Sequence, residues 1–362
     1  MRVQDQLSAY TVFETLNARG LELTETDLLK NYLLSLADRL SKSQMDPVLR
    51  QWARITARVG IASFPDFLRH HLNSHREYVR QKQLFKTIKR DVTTLDHVFA
   101  LLDRLEKDAA WFEALSDFSS QFWLDYQGAR EQVRALNLFN VSQFTPLVLA
   151  AKDVFTAPQD LVEILRYCAV LSVRFNGVGR RSTHILEEIY NRAALEVRRG
   201  TATTLAAVRQ ALRPIYVSDD EFEADFSALR LRNRSTSGKR LRYLLAKIEK
   251  QLSGADVNDE GMTATVEHIL PENPSEVGWE QFTAEAHERS YERVGNYSLL
   301  ERGLNGQQAG NAAFAQKQHV YGQSQYRTSK ELAQYSDWTE ETIAKRQGEM
   351  AKVAKSIWAL TI

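Results

Sequence analysis

The sequence contains few residues that break or crosslink structure. Only one of its 362 residues is cysteine, which excludes an intrachain disulfide and a cysteine-rich zinc site. Because Cys168 lies in the apolar run 165–173, we expect a small core residue rather than a nucleophile. Glycine is scarce before residue 250, so long helices with few interruptions are favoured there.

Long apolar runs and a net charge of one sign are also missing. No run approaches the roughly 20 residues that a membrane-crossing helix needs, and no signal segment is visible, so a cytoplasmic protein is expected. The formal net charge is +1, and any nucleic-acid surface must therefore be local. The apolar share of 43% suffices for the cores of two or three domains.

Helical periodicity dominates the first 250 residues. Leu28, Leu29, Tyr32, Leu33 and Leu36 repeat at helical spacing, and Thr24 is a candidate N-cap. Further segments with this period are predicted around 44–59, 76–90, 94–115, 117–138, 142–154, 158–175, 182–198, 202–213, 219–230 and 237–252.

The pattern changes after the polar, turn-rich segment 253–261, which is the best candidate domain boundary. Two short strands are predicted at 263–269 and 293–300, because both segments are rich in β-branched or aromatic residues. A helix is expected to begin near Asn311, and a last amphipathic helix over 340–359. The sequence thus predicts a mainly α protein that ends in a small α+β domain.

One group of polar residues could cut a phosphodiester with a single metal ion. Glu267 and His268 end a short apolar run, and Asn296 and Asn305 follow nine residues apart. A histidine can deprotonate water near neutral pH. The acid and one carboxamide could hold a divalent cation, and such oxygen donors favour Mg²⁺ or Mn²⁺ over zinc.

Each of these residues also has an ordinary structural explanation. A lone histidine often only caps a strand, and asparagine is a common turn residue. Asn296 can instead pin the loop that carries His268 by bonding its backbone. Lys317, twelve residues past Asn305, could contact the scissile phosphate or be a solvated helical lysine. The combination of these residues favours the catalytic interpretation.

Two further clusters of residues could bind a ligand, one DNA and the other a metal ion. The densest basic run, 230–242, predicts a loop that grips DNA phosphates, although a solvated surface is the alternative. Its cationic residues are Arg230, Arg232, Arg234, Lys239, Arg240 and Arg242. His70, His71 and His75 could suggest a metal, but no acid or cysteine stands nearby at a matching spacing, so a polar helix end is favoured.

The spacing of the catalytic candidates resembles the HNH, or ββα-metal (His-Me finger), nucleases. That resemblance implies that His268 is the general base, Asn296 is structural, and Glu267 and Asn305 bind metal. The chain departs from many relatives by having Asn305 where they have histidine and Glu267 where they have aspartate. Both changes keep oxygen donors for a hard cation.

A closer resemblance is to the C-terminal domain of the GmrSD-type restriction endonucleases, which are type IV, modification-dependent enzymes of phage defence. The matching positions are Glu267-His268-Ile269-Leu270-Pro271, Trp279, 294–300, Asn305, Asn311, Phe314, Lys317, Trp338 and 343–346. Phe13–Thr24 and Asp27–Asn31 resemble the latter part of the family's ParB-like N-terminal domain. The resemblance implies a DNA endonuclease that acts on modified foreign DNA.

The same resemblance divides the chain into three predicted domains. Residues 1–90 are the helical remainder of the ParB-like domain, 91–254 a helical middle domain, and 255–362 the HNH-like nuclease domain. The nucleotide-hydrolysing signature Asp-Gly-Gln-Gln-Arg of the family is absent, so a possible partner is an upstream nucleotide-binding domain or subunit. Because residues 13–20 read like the interior of a domain, either Met1 is not the natural start or an upstream domain is absent or encoded separately. A double-strand break would imply a homodimer or repeated action. The alternative is a catalytically silent DNA-binding or regulatory subunit of a separate nucleotide-hydrolysing chain.

Overall fold

The protein is described by a computed structural model over residues 25–258, 263–274 and 278–361. The run Phe13–Thr24 and the predicted cap Thr24 lie outside these residues. The helices of the helical part are Glu25–Leu40, Met45–Val59, Phe64–Asn73, Leu84–Asp91, Leu95–Ser116, Ala129–Leu138, Thr145–Ala151, Pro158–Ser172, His184–Arg198, Leu205–Leu212, Asp219–Ala228 and Ser235–Ser253. The later elements are β1 (Ala264–His268), Ala284–Ser290, β2 (Tyr297–Glu301), Arg302–Leu304, Phe314–Gly322, Arg327–Lys330 and Glu340–Ile357.

The predicted mainly α fold is confirmed, because the described residues form helices and one two-stranded sheet. Side-chain caps fix several of the helix starts. The Thr94 hydroxyl accepts from the backbone N–H of His97, and Ser218 with Glu221 forms a complete capping box. No helix among the described residues is long and apolar enough to span a membrane.

Two predicted helices are shorter than their periodicity indicates. The segment 76–90 is α-helical only from Leu84, after a short 3-10 turn at Gln81–Gln83, because the Asn73 side chain bonds both backbone groups of Val79 and stabilises an irregular loop. The segment 117–138 is interrupted before Ala129, where Gly128 has a φ of +91°. In both places tertiary or turn chemistry overrides helical spacing.

The described residues group into two compact units. One contains 25–169 and 183–215, and the other contains 170–182 and 216–361. The predicted division at 90 and 254 stays a prediction. The first unit is built on a helical core in which apolar side chains of several helices are buried, among them Leu29, Leu33, Val48, Trp52, Phe64, Phe67, Leu101 and Leu105.

The second unit carries the two-stranded antiparallel sheet of β1 and β2. Its register pairs Glu267 with Ser298 and His268 with Tyr297. Beside the sheet lies a core that includes Ile269, Leu270, Trp279, Leu300, Phe314, Tyr321, Leu332, Trp338 and Ile343. The two strands are therefore held in place by packing and not by the sheet alone, since an isolated two-stranded ribbon is only marginally stable.

Candidate active site on the two-stranded sheet

Glu267 and His268 are the last two residues of β1, so their side chains point to opposite faces of the sheet. The His268 ring contacts the edge of Tyr297, its register partner, with ring centroids 4.5 Å apart. The Tyr297 hydroxyl donates to the carbonyl of Leu231 at 2.8 Å, which fixes the ring that His268 rests on. The imidazole is thus oriented by a buried aromatic side chain.

The half-buried position of His268 keeps its imidazole neutral. Burial lowers the pKa of His268 to about 4; the charge of Glu272 opposes this shift, while those of Lys317 and Arg234 add to it. A neutral ring at physiological pH can accept a proton, which is the protonation state that a general base requires.

Asn296 lies in a turn just before β2 and is fully buried. Its Oδ1 accepts from the Leu270 N–H at 2.8 Å and from the Trp338 indole N–H at 3.0 Å. Its Nδ2 donates to the carbonyls of Leu270 and Tyr291, and its own carbonyl accepts from Ile269 N–H. The carboxamide therefore fastens the loop that directly follows His268, although its place in the catalytic set stays a prediction.

This turn is also supported by residues to which the single motifs of the sequence gave no role. The buried Arg346 donates from Nη1 to the carbonyls of Gly295 and Tyr297, on either side of Asn296. A Cβ on Gly295 would lie 2.4 Å from the Ile343 carbonyl, so only glycine allows this close approach. In the sequence, Arg346 was marked by the family resemblance at 343–346, but that resemblance assigned no role to it.

On the other face of β1, the Glu267 carboxylate sits in a buried polar cluster. Lys317 Nζ donates to Glu267 Oε1 at 2.7 Å and to the His268 carbonyl at 2.7 Å. Tyr321, one turn along the helix Phe314–Gly322, donates to the same Oε1 at 2.9 Å. The exposed fractions are 0% for Lys317 and 3% for Glu267, so this is a buried ion pair.

Burial moves the pKa values of this pair toward the neutral forms. It raises the pKa of Glu267 and lowers the pKa of Lys317, and in each case the partner's charge opposes the shift. We regard the pair as ionised, because a bond of 2.7 Å and the further donors and acceptors compensate both charges. The Lys317 ammonium does not reach solvent in this arrangement, so its predicted phosphate contact would require it to leave Glu267.

Asn305 opens a π-helical turn, Asn305–Ala309, shortly after β2. Its Nδ2 donates to the Thr265 hydroxyl at 2.9 Å, and Thr265 lies two residues before Glu267 on the same face of β1. The structure therefore brings Asn305 to the face of the strand that carries Glu267. Its role as a metal ligand stays a prediction.

The donor chemistry of this face fits a hard divalent cation. Glu267 supplies a carboxylate and Asn305 a carboxamide oxygen, which are the ligand types that Mg²⁺ and Mn²⁺ accept. The position beside Glu267 Oε1 is taken by the ammonium of Lys317. A metal ion bound by Glu267 would therefore have to replace Lys317 as the counter-charge.

The predicted DNA-binding run lies partly in an extended segment and partly in a helix. The helix Ser235–Ser253 begins earlier than expected, so the Ser-Thr-Ser-Gly stretch that suggested a loop forms its first turn. Arg232 pairs with Glu292 at 2.8 Å, and Arg234 pairs with Glu272. Arg230 donates to the Glu288 carbonyl and lies 3.6 Å from Glu292.

The remaining cations of this run lie on the first turns of that helix. Lys239 is exposed, Arg240 and Arg242 are half-buried, and burial lowers the pKa of Arg240. The charges of Arg234, Glu272 and Glu292 all act on His268, so the start of the basic run lies in the electrostatic surroundings of the candidate base. Contact of these residues with DNA stays a prediction.

A known protein family matches the part of the chain that contains these residues. The model of the family described as GmrSD restriction endonucleases, C-terminal domain, matches residues 216–353. This range includes the basic run and all five catalytic and metal candidates. No curated protein matches the chain. Residues 216–353 are therefore similar to the C-terminal domain of the GmrSD restriction endonucleases.

Proposed function

We propose that this chain is a metal-dependent DNA endonuclease of a phage-defence restriction system, and that it acts on modified foreign DNA in the cytoplasm. The observation that carries the proposal is the Glu267-His268 pair at the end of β1, followed by a loop fastened through Asn296. This arrangement lies within the matched restriction-endonuclease domain. An HNH-type reaction is the chemistry that these groups support best.

In this proposal His268 is the general base, which requires the scissile phosphate to lie beyond the end of β1, where groups from both faces of the strand can reach it. Its neutral ring accepts the proton of the attacking water, and the edge contact with Tyr297 keeps the ring oriented during that transfer. Asn296 acts as a positioning residue, because it holds the backbone at Leu270 and so limits movement of the strand end. Rigid positioning matters since small displacements of a catalytic group reduce the rate strongly.

Glu267 and Asn305 would hold one Mg²⁺ or Mn²⁺ ion, which when bound supplies positive charge to the scissile phosphate and to the leaving oxygen. Glu267 Oε1 has one cationic partner at a time in this scheme, either the ammonium of Lys317 or the metal ion. Lys317 is then a positioning residue that keeps the carboxylate ionised and oriented before loading. Once released, its ammonium could reach the phosphate.

The basic run 230–242 would bind the DNA backbone. Its ion pairs Arg232–Glu292 and Arg234–Glu272 are exposed on the arginine side, and such surface pairs contribute little to stability. Replacing these ion pairs by contacts with DNA phosphates therefore costs little free energy. DNA binding should weaken as the salt concentration rises. An upstream nucleotide-binding domain or subunit would regulate cutting, and a homodimer would cut both strands.

The test is plasmid nicking by the purified chain with Mg²⁺ or Mn²⁺, on modified and unmodified DNA. We expect His268→Ala to abolish cleavage while circular dichroism and DNA binding stay close to wild type. His319→Ala is the matched control, because His319 is an exposed histidine on the helix that carries Lys317. Full metal-dependent cleavage by His268→Ala would refute the mechanism.

The buried Glu267–Lys317 pair also favours a second function, that of a catalytically silent DNA-binding or regulatory subunit of a separate nucleotide-hydrolysing chain. In that case the ion pair is permanent and closes the metal position. Neither Mn²⁺ binding at Glu267 nor cleavage would then be observed, while DNA binding through 230–242 would persist.

A further inference from the structure

The first unit contains a group of potential ligands that the endonuclease proposal does not use. His71 lies in the last turn of the helix Phe64–Asn73, and His75 lies just past the end of that helix. Asp108 comes from the helix Leu95–Ser116. One ligand atom from each residue lies within 4.8 Å of the other two.

The tertiary structure supplies the acid that sequence spacing did not reveal. The prediction of a mere polar helix end assumed that no acid was near the histidines, whereas His71 Nδ1 lies 2.6 Å from Asp108 Oδ2. The rings of His71 and His75 have centroids 4.9 Å apart. Two imidazoles and a carboxylate are a common ligand set for zinc.

Charged side chains that surround the three candidate ligands keep them in position, and these charges also compensate one another. Lys152 Nζ contacts Asp108 Oδ1 at 2.9 Å, which leaves Oδ2 directed to His71. Arg198 Nη2 lies 3.5 Å from His75 Nε2. Asp153 pairs with Lys152 at 2.8 Å and with Arg198 at 2.6 Å, so two carboxylates balance the two cations.

A cavity of about 300 Å³ adjoins the cluster and is lined by His71 and His75 together with Arg76, His97 and Arg104. Catalytic zinc sites keep one coordination position open to solvent or to a small ligand. In this protein the open coordination position would face the cavity. Two arginines line that cavity: Arg104 is exposed, and Arg76 pairs with Asp91 at 2.5 Å.

We propose that His71, His75 and Asp108 bind one divalent transition-metal ion of the zinc class, with a fourth coordination position open to the adjoining cavity. Tetrahedral bonds of about 2.0–2.1 Å place ligand atoms about 3.3 Å apart. The 2.6 Å contact between His71 Nδ1 and Asp108 Oδ2 therefore has to lengthen when both groups bind the ion. Imidazole ligands set this centre apart from the oxygen-donor site proposed at Glu267.

The test is Co²⁺ titration of the full chain carrying His268→Ala, so that no imidazole from the candidate active site contributes to the spectrum. We expect one equivalent of Co²⁺ to bind with the visible absorption of a tetrahedral nitrogen- and oxygen-ligated ion. Zn²⁺ should displace it and raise the melting temperature, because a ligand of the folded state stabilises that state.

His75→Gln in the same background should lose the absorption and the thermal shift. The affinity should fall by more than the roughly 10–100-fold that loss of an outer-shell partner costs. His319→Gln, an exposed histidine of the other unit, is the matched control and should bind as before. If His75→Gln binds Co²⁺ as tightly as the control, or if no protein binds it, the proposal is wrong.

X-ray absorption of the zinc-loaded His268→Ala protein provides a measurement that does not depend on folding of the His75 variant. Scattering from two imidazoles and one carboxylate is expected. A shell of oxygen atoms alone would overturn the assignment.

Discussion

Replacing Lys317 with methionine tests whether an ammonium holds the place of a metal ion at Glu267. Methionine keeps most of the apolar stem of lysine but leaves the carboxylate without its cationic partner. Because the exposed fractions are 0% for Lys317 and 3% for Glu267, water cannot readily replace the lost charge. Removing one partner of a buried ion pair typically costs 3–5 kcal/mol, so we expect a loss of about this size.

A double variant separates the ion pair from simple packing. Lys317→Met with Glu267→Gln removes both charges, and Tyr321 can still donate to the carboxamide oxygen. We expect the double variant to be more stable than Lys317→Met alone, because no uncompensated buried charge remains. Lys330→Met, which changes an exposed lysine of the same unit, should alter the free energy of unfolding by less than about 0.5 kcal/mol.

The change in stability on adding Mg²⁺ is the decisive measurement. If Mg²⁺ and Lys317 compete for Glu267, then Lys317→Met should be stabilised by Mg²⁺ far more than wild type. At a concentration of 100 times the dissociation constant the gain would be about 2.7 kcal/mol. Unfolding by urea should be followed by tryptophan fluorescence and circular dichroism together, since two units need not unfold in one transition.

Two results would refute this reasoning. A loss below about 1 kcal/mol in Lys317→Met would mean that the ammonium does not compensate the Glu267 charge. An equal response of wild type and variant to Mg²⁺ would mean that the metal ion, if bound, does not replace Lys317.

Two further predictions concern Asn296 and Cys168. Asn296→Ala leaves the N–H groups of Leu270 and Trp338 without their acceptor; at 1–3 kcal/mol each we expect a loss of about 2–6 kcal/mol in urea unfolding, and a loss under 1 kcal/mol would contradict the described hydrogen bonds. Burial raises the pKa of Cys168 to about 12, a shift that Tyr190 partly opposes, so a thiol reagent at pH 7–8 should label the chain only after denaturation. Rapid labelling of the native protein would show that this thiol is accessible.

Local sequence pattern was sufficient for the main features of the fold. Helical spacing placed the segment 44–59 within one residue of Met45–Val59, because a stripe of buried residues recurs there at every turn. The strand predicted at 263–269 was confirmed as Ala264–His268, because β-branched residues and bounding turns are local signals. The strand predicted at 293–300 begins only at Tyr297, since Val294–Asn296 forms a tight turn. The polar residues at Glu267, His268, Asn296 and Asn305 were visible for the same reason.

The partners of those polar residues were decided by tertiary structure. Nothing in the spacing showed that Lys317 is buried on Glu267, because an amphipathic helix permits a lysine on either face until the neighbouring strand is placed. In the same way, Asp108 joins His71 and His75 only because two helices pack against each other. Sequence determines which chemical groups are present and in what local structure, whereas long-range packing decides which groups meet and which charges are left to be compensated.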